Sequence, residues 1–280
     1  MPESPLPAAD LQETANDLRK LIVATLCRAQ AGHPGGSLSA VEILTALFFR
    51  VLRIDPADPE WDGRDRFVLS KGHAAAAYYA TLALRGYFPT TLLETYDELD
   101  SLLQAHPDMH CPGVDMSSGS LGQGLSSGLG MALGARLKGL AETRVFVLLG
   151  DGELQEGQVW EAAMAAPKFG LGNLVAIVDD NRIQLMGDTC AVMPVDPIAD
   201  KWRAFNWLVS EVDGHDATAV TEACEAARED GDRPSVIVAH TVKGKGVSFM
   251  EDTCAWHAAP ISQDLAERAL TELCAGEEGA

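Results

Sequence analysis

Two apolar runs, each ending in an acidic turn, constrain this chain more than any other feature. Residues 145–149 read Val-Phe-Val-Leu-Leu and run into Gly150-Asp151-Gly152. Residues 174–178 read Leu-Val-Ala-Ile-Val and run into Asp179-Asp180-Asn181. Between them lies an Ala- and Glu-rich stretch, 155–168, suited to a helix. Strand, helix and strand in that order make a crossover unit whose two strands are parallel neighbours. Their carboxyl ends then lie side by side, where open α/β sheets bind ligands. Asp151 and Asn181, 30 residues apart, would face each other there. A carboxylate and an amide oxygen suit Mg2+ or Ca2+, and Mg2+ usually joins few protein oxygens to those of a phosphate. Gly150 and Gly152 would allow a tight turn and the close approach of a diphosphate. The following helix would offer that anion free N–H groups and a positive dipole end. Either triplet alone would say little, because turns favour Gly, Asp and Asn in any case.

Elsewhere strands and helices alternate. The periodicity predicts a helix over 10–31, with Leu11, Leu18, Leu21, Ile22 and Leu26 on one face. Ser37 or Ser39 could cap a second helix running to about residue 52. Further helices are expected after Gly72-His73 to about 84, over 89–103, 121–137 and 217–228, and from about 262. Strands are expected over 66–70, 207–212 and 235–239. Two polar, Gly-containing loops, 104–120 and 241–260, are long enough to suggest function. The expected fold is α/β, a mostly parallel sheet with helices on both faces, forming one domain over 1–280 with frayed tails at about 1–9 and 276–280.

Composition removes whole classes of function. Lys plus Arg number 21 against 41 Asp plus Glu, a formal charge of −20, which argues against nucleic acid as a partner. It leaves room for an anionic ligand, since backbone amides and a metal can override the global field. No apolar run approaches the roughly 20 residues that span a bilayer. The first residues lack the pattern of a secretory signal, so a cytoplasmic protein is expected. Six scattered cysteines, at 27, 111, 190, 224, 254 and 274, read as reduced thiols.

Four of the seven histidines sit in unusual loop contexts: His33 in Gly-His-Pro-Gly-Gly, His73 in Ser-Lys-Gly-His, His106 in Ala-His-Pro-Asp and His257 in Trp-His-Ala-Ala-Pro. None lies on an apolar helical face, and none pairs at the i, i+4 spacing of a helical zinc site. His110, His215 and His240 carry no such context and read as structural. Lys243-Gly-Lys245 could meet an anion or form a mobile surface turn. Gly119-Ser-Leu-Gly-Gln-Gly124 is no P-loop, because no Gly-Lys-Ser/Thr follows.

These words, with Gly150 to Glu161 and Asp179 to Gln184, resemble the transketolase branch of the thiamine diphosphate enzymes, in family order over about residues 15–265. The resemblance is to the N-terminal, diphosphate-binding domain. It implies the thiamine diphosphate-binding fold, with thiamine diphosphate and Mg2+ (or Ca2+) as cofactors. It implies Asp151, Asn181 and the Ile183 carbonyl as metal ligands, with Gly150 and Gly152 around the diphosphate. His73 and His257 would contact that diphosphate, and Leu121 and Gly122 would lie near the cofactor ring. His33, His106 and His257 would face the sugar and handle protons. Glu156 and Glu161 resemble the family's acidic residues near the subunit interface, with Glu156 also expected among the cofactor-binding residues; an ordinary amphipathic helix face is the equal alternative.

Full-length members also carry a pyrimidine-binding domain, with the glutamate that activates the cofactor, and this chain has no counterpart. The resemblance therefore implies a split transketolase, moving a two-carbon ketol unit from a ketose or ketose phosphate to an aldose. A C-terminal pyrimidine-binding subunit would complete it, in an α2β2 assembly. The alternatives are half of a 1-deoxyxylulose-5-phosphate synthase-like enzyme, or a non-catalytic regulatory subunit that kept the fold.

Overall fold

The computed structural model describes residues 8–229 and 231–275. Its strands are β1 (Arg66–Leu69), β2 (Val145–Gly150), β3 (Leu174–Asp180), a small hairpin of β4 (Ile183–Gln184) and β5 (Gly187–Asp188), β6 (Leu208–Asp213) and β7 (Ser235–His240). Its α-helices are α1 (Ala8–Ala29), α2 (Pro34–Ser39), α3 (Val41–Ala46), α4 (Ala75–Arg85), α5 (Gln123–Leu137), α6 (Gly157–Lys168), α7 (Thr189–Val192), α8 (Ile198–Ala204), α9 (Ala217–Glu229) and α10 (Gln263–Ala275). The main sheet runs β1-β2-β3-β7-β6, and every pairing in it is parallel.

Strand side chains alternate between two cores. Phe146 and Leu148 of β2, with Val175 and Ile177 of β3, join the core built by α1, α3, α4 and α9. Val145, Val147 and Leu149, with Leu174, Ala176 and Val178, join the core built by α5, α6 and α8. Covering both faces is what lets these strands read as continuous apolar runs. Each fully buried Val, Leu or Ile contributes about 1.5–3 kcal/mol. The edge strand β6 is half exposed, and its sequence is correspondingly mixed. Helix α5 lies close on the sheet: a Cβ at Gly128 would come within 2.4 Å of Val147, and one at Gly124 within 2.3 Å of Ser70 Oγ. Glycine is required there by space, not by backbone conformation.

Several local expectations give way. The segment 89–103 is not a helix; only a 3-10 turn, Thr90–Thr95, forms. Its chain turns at Asp97 and Asp100, both at positive φ, and Asp97 N–H bonds the Leu103 carbonyl. Leu99 is 94% exposed, so the apolar spacing there does not describe a buried face. Neither Ser37 nor Ser39 caps a helix; both lie inside α2, which starts at Pro34 with His33 at its N-cap position. The expected long helix is broken into α2, α3 and a π turn, Leu47–Val51. Residues 8 and 9, expected in a frayed tail, belong to α1; residues 1–7 and 276–280 lie outside the described residues. No helix among the described residues is long and apolar enough to cross a membrane.

Candidate active site at the carboxyl tips of β2 and β3

The register pairs Gly150 with Asp179, so the two acidic turns meet as adjacent strand tips. Asp151 N–H donates to the Asp179 carbonyl at 3.2 Å. Asp151, Asn181 and Ile183 line one cavity of about 280 Å³, together with Lys71, His73, Leu121, Lys243 and His257. Gly150 and Gly152 also line it, yet neither has positive φ; a Cβ on Gly150 would meet nothing nearer than 4.0 Å, leaving an open wall for a ligand. The tight turn expected of these glycines is therefore not seen; the space beside Gly150 leaves room for the close approach of a ligand, whereas a Cβ on Gly152 would press on Gln184, with Oε1 at 3.1 Å.

The floor and the rim differ chemically. At the floor, Asp179 is fully buried and accepts from Lys71 Nζ, from Ser39 Oγ at 2.6 Å and from Thr241 Oγ1. Lys71 also donates to the Gly36 carbonyl at 2.9 Å. Burial alone would raise the Asp179 carboxyl, but the Lys71 ammonium and these donors hold it below its usual range.

At the rim, Asp151 is 3% exposed, and its Oδ2 accepts from Thr189 Oγ1 at 2.7 Å, with no ammonium or guanidinium on it. Burial pushes its pKa up to about 6, and the Asp179 and Asp180 carboxylates add to that. Asn181 turns Nδ2 toward Ser39 Oγ and Asp179 Oδ2, both at 3.4 Å, while Oδ1 accepts from Ile183 N–H at 3.1 Å. The Ile183 carbonyl accepts from Lys243 Nζ at 2.8 Å. Lys243 is 1% exposed, so the alternative of a mobile surface turn is overturned. Its ammonium meets only neutral partners there, the second being His257 Nδ1 at 3.1 Å. Burial and the nearby Lys71 charge lower its pKa to about 8.

The four loop histidines converge. His73 and His257 stack with centroids 5.2 Å apart; His33 lies 5.4 Å from His73, 5.7 Å from His257 and 6.2 Å from His106. His73 and His257 line the cavity, and the rings of His33 and His106 continue the row beyond it. Burial, then the neighbouring lysines, pushes His257 down to about 3 and His73 well below the usual histidine range. Burial, then the neighbouring His106 and Lys243, lowers His33, whose buried Nδ1 has no hydrogen-bond partner among the described residues. These three rings are neutral at pH 7. The loop bearing His106 has no regular structure; Tyr79 Oη holds the His106 carbonyl at 3.0 Å, and the buried Arg64–Asp115 pair anchors the same loop to the start of β1.

Sequence reasoning missed Glu153. Its carboxylate accepts from Ser70 Oγ, from Gly122 N–H at 2.8 Å and from Gly150 N–H at 3.1 Å. One buried side chain thus ties together the β1 exit, the start of α5 and the β2 tip. Gly122, expected beside a cofactor ring, spends its N–H on Glu153, while Leu121 is exposed toward the cavity. Glu156 is exposed at the cavity mouth, and Glu161 is exposed on α6.

Residues 11–275 match the family described as transketolase, thiamine diphosphate binding domain. The chain belongs to the transketolase family. A 6-deoxy-6-sulfo-D-fructose transketolase subunit SqwG of Clostridium sp. (strain MSTE9) is 46% identical, over 94% of this chain and 96% of its own length. An apulose-4-phosphate transketolase subunit of Phocaeicola vulgatus is 40% identical, over 94% of this chain and 93% of its own. A transketolase variant from Pichia stipitis, solved in complex with fructose-6-phosphate, superposes with a TM-score of 0.89 at 32% identity, covering 94% of this chain and 40% of that one. The chain thus spans less than half of a full-length transketolase but nearly all of the transketolase subunits it resembles.

The rim suits the diphosphate and cation of a transketolase cofactor. A desolvated carboxylate without a cation, an amide oxygen and a backbone carbonyl are hard donors. No cluster of three or more His, Cys, Asp or Glu able to hold a metal occurs among the described residues. A site with one carboxylate instead needs phosphate oxygens to complete it. Lys243 places an ammonium in the same cavity.

Proposed function

We propose that the chain is the N-terminal, diphosphate-binding subunit of a two-subunit transketolase, a single diphosphate-binding domain working in the cytoplasm. The observation that carries this is the rim: among the described residues, buried Asp151 has no cation in contact and buried Lys243 no anion in contact, and the two line the same cavity. A diphosphate bridged to a divalent cation satisfies both. Asp151, Asn181 and the Ile183 carbonyl would hold Mg2+ (or Ca2+). Lys243, His73 and His257 would face the diphosphate. When bound, thiamine diphosphate supplies the nucleophilic carbon and electron sink for breaking and making a carbon–carbon bond.

The chain's own residues divide the remaining work. His257 and His73, held neutral by burial beside Lys71 and Lys243, serve as hydrogen-bonding groups; the low basicity of His257 argues against the proton handling expected of it, which falls to His33 and His106. Lys243 donates to His257 Nδ1, so the ring proton sits on Nε2, which is left to bond a sugar or phosphate oxygen. His33 and His106, beyond the cavity lining, are the groups placed to take and return protons at sugar hydroxyls. Glu156 and Glu161 would meet a C-terminal, pyrimidine-binding partner, in an α2β2 assembly. The names of the two relatives support ketol transfer over a 1-deoxyxylulose-5-phosphate synthase-like reaction, and suggest a sulfo sugar or sugar phosphate as substrate.

The test is transfer itself. The chain is supplied with Mg2+, thiamine diphosphate, a ketose phosphate and an aldose, alone and with its co-purified partner. Turnover is expected only with the partner. A normal rate from the chain alone would refute the two-subunit reading.

A further inference from the structure

Three side chains that do not line the cavity, two of them buried, form a hydrogen-bonded chain that ends on the backbone of Lys243's turn. Arg19 of α1 and Glu42 of α3 are 4% and 2% exposed and pair through Arg19 Nη2 and Glu42 Oε1 at 2.5 Å. Glu42 Oε2 lies 3.0 Å from Nδ1 of His215, in the loop between β6 and α9. His215 Nε2 in turn lies 2.8 Å from the N–H of Val242. A backbone N–H can only donate, so Nε2 is the acceptor and the ring proton is on Nδ1, given to Glu42. Burial would raise the Glu42 carboxyl, but the His215 hydrogen bond and the Arg19 guanidinium hold it below its usual range. The same Arg19 reaches the other end of the turn, donating from Nε to the Lys245 carbonyl at 3.1 Å.

The turn between these anchors needs them. Gly244 has φ of +79° and its N–H bonds the Gly35 carbonyl at 3.1 Å; a Cβ on Gly244 would come within 2.2 Å of the Met250 carbonyl oxygen. Lys243 must bring an ammonium into a site where burial works against it and its contacts are neutral. Such a side chain stays inside only if its backbone is fixed.

We propose that His215 is a positioning residue: with Glu42 and Arg19 it clamps residues 242–245 so that the Lys243 ammonium is presented to an anionic ligand in the cavity. The inference about ligand affinity rests on the function proposed above; the inference about the clamp does not. His215 is not itself near the reacting atoms and acts through Lys243.

Two measurements test it. The first needs no ligand: lysine acetylation of the folded chain, read by mass spectrometry. His215→Phe removes both hydrogen bonds and should speed modification of Lys243 about tenfold, the scale of one lost buried hydrogen bond, while the equally buried Lys71 stays protected. His215→Gln, whose amide can both accept and donate, should restore protection. Unchanged Lys243 reactivity in the Phe variant, or a parallel rise at Lys71, would overturn the clamp. The second is a calorimetric cycle with thiamine diphosphate and Mg2+. His215→Phe should weaken binding about tenfold in the native background and not at all in Lys243→Met. Equal losses in both backgrounds would overturn action through Lys243. Both backgrounds are run with the partner subunit present; a native chain that binds no thiamine diphosphate even then would refute the proposed function, and the acetylation measurement would still decide the clamp.

Discussion

The floor and the rim of the cavity lie a few residues apart yet are built on opposite rules. At the floor every charge is answered: Lys71 and Asp179 pair at 1% and 0% side-chain exposure, with Ser39 and Thr241 on the remaining carboxylate positions. At the rim, Asp151 and Lys243 are equally buried and neither has a charged partner in contact. Burial moves the two rim groups toward neutrality, to about 6 and about 8. A fold does not keep unanswered buried charges for its own stability. The floor is therefore structure, and the rim is the place where the ligand proposed above would complete the electrostatics.

That contrast can be broken at several points. The largest effect is expected at the floor. Asp179→Ala strands the buried Lys71 ammonium and should cost about 3–5 kcal/mol, read by urea unfolding. A loss under about 1 kcal/mol, on the scale of an exposed ion pair, would mean the pair is not structural.

Asp151→Asn should do the reverse. In the native chain the Asp151 carboxyl titrates near 6, above its ordinary 3.8. The folded state therefore holds this proton more tightly than the unfolded state does. Stability from this group is full below about pH 4 and falls as pH rises to about 6, by up to about 3 kcal/mol. The Asn variant should lack that slope and be more stable than the native chain at pH 7 without metal, while losing Mg2+-dependent binding. Identical pH slopes in the two proteins would contradict the assignment.

Lys243→Met should leave unfolding in urea nearly unchanged, because it replaces a strained cation by an apolar chain of similar length. It should weaken thiamine diphosphate binding by about tenfold to a hundredfold, the worth of a charge-assisted contact. A smaller effect, a few-fold change in turnover of the assembled enzyme, is expected for Glu161→Gln if α6 faces the partner.

The sheet and the strand tips were legible because their signals are local. Residues 145–149 and 174–178 are apolar throughout, and Asp151 and Asn181 follow directly. The histidines were legible by their odd loop contexts, and the structure brings all four together. What could not be read depends on distant partners. Glu153 sits in an ordinary acidic stretch, and its meaning comes from Ser70 and Gly122, far along the chain. Lys243 reads equally as an anion contact or a surface turn, and its burial is decided by contacts of its turn with Arg19 and His215, far along the chain. The hairpin β4–β5 and helix α7 are too short to carry a period, and the 89–103 segment carries an apolar spacing that its turns at Asp97 and Asp100 cancel.

The claim beneath all of this is that Asp151, Asn181 and the Ile183 carbonyl hold a divalent cation against the diphosphate of the cofactor. Titration calorimetry of the partnered protein with thiamine diphosphate, in Mg2+ and then in chelator, measures it directly. Binding should require Mg2+ and vanish in Asp151→Ala. Equal affinity in chelator, or full retention of the cofactor by the Ala variant, would contradict it.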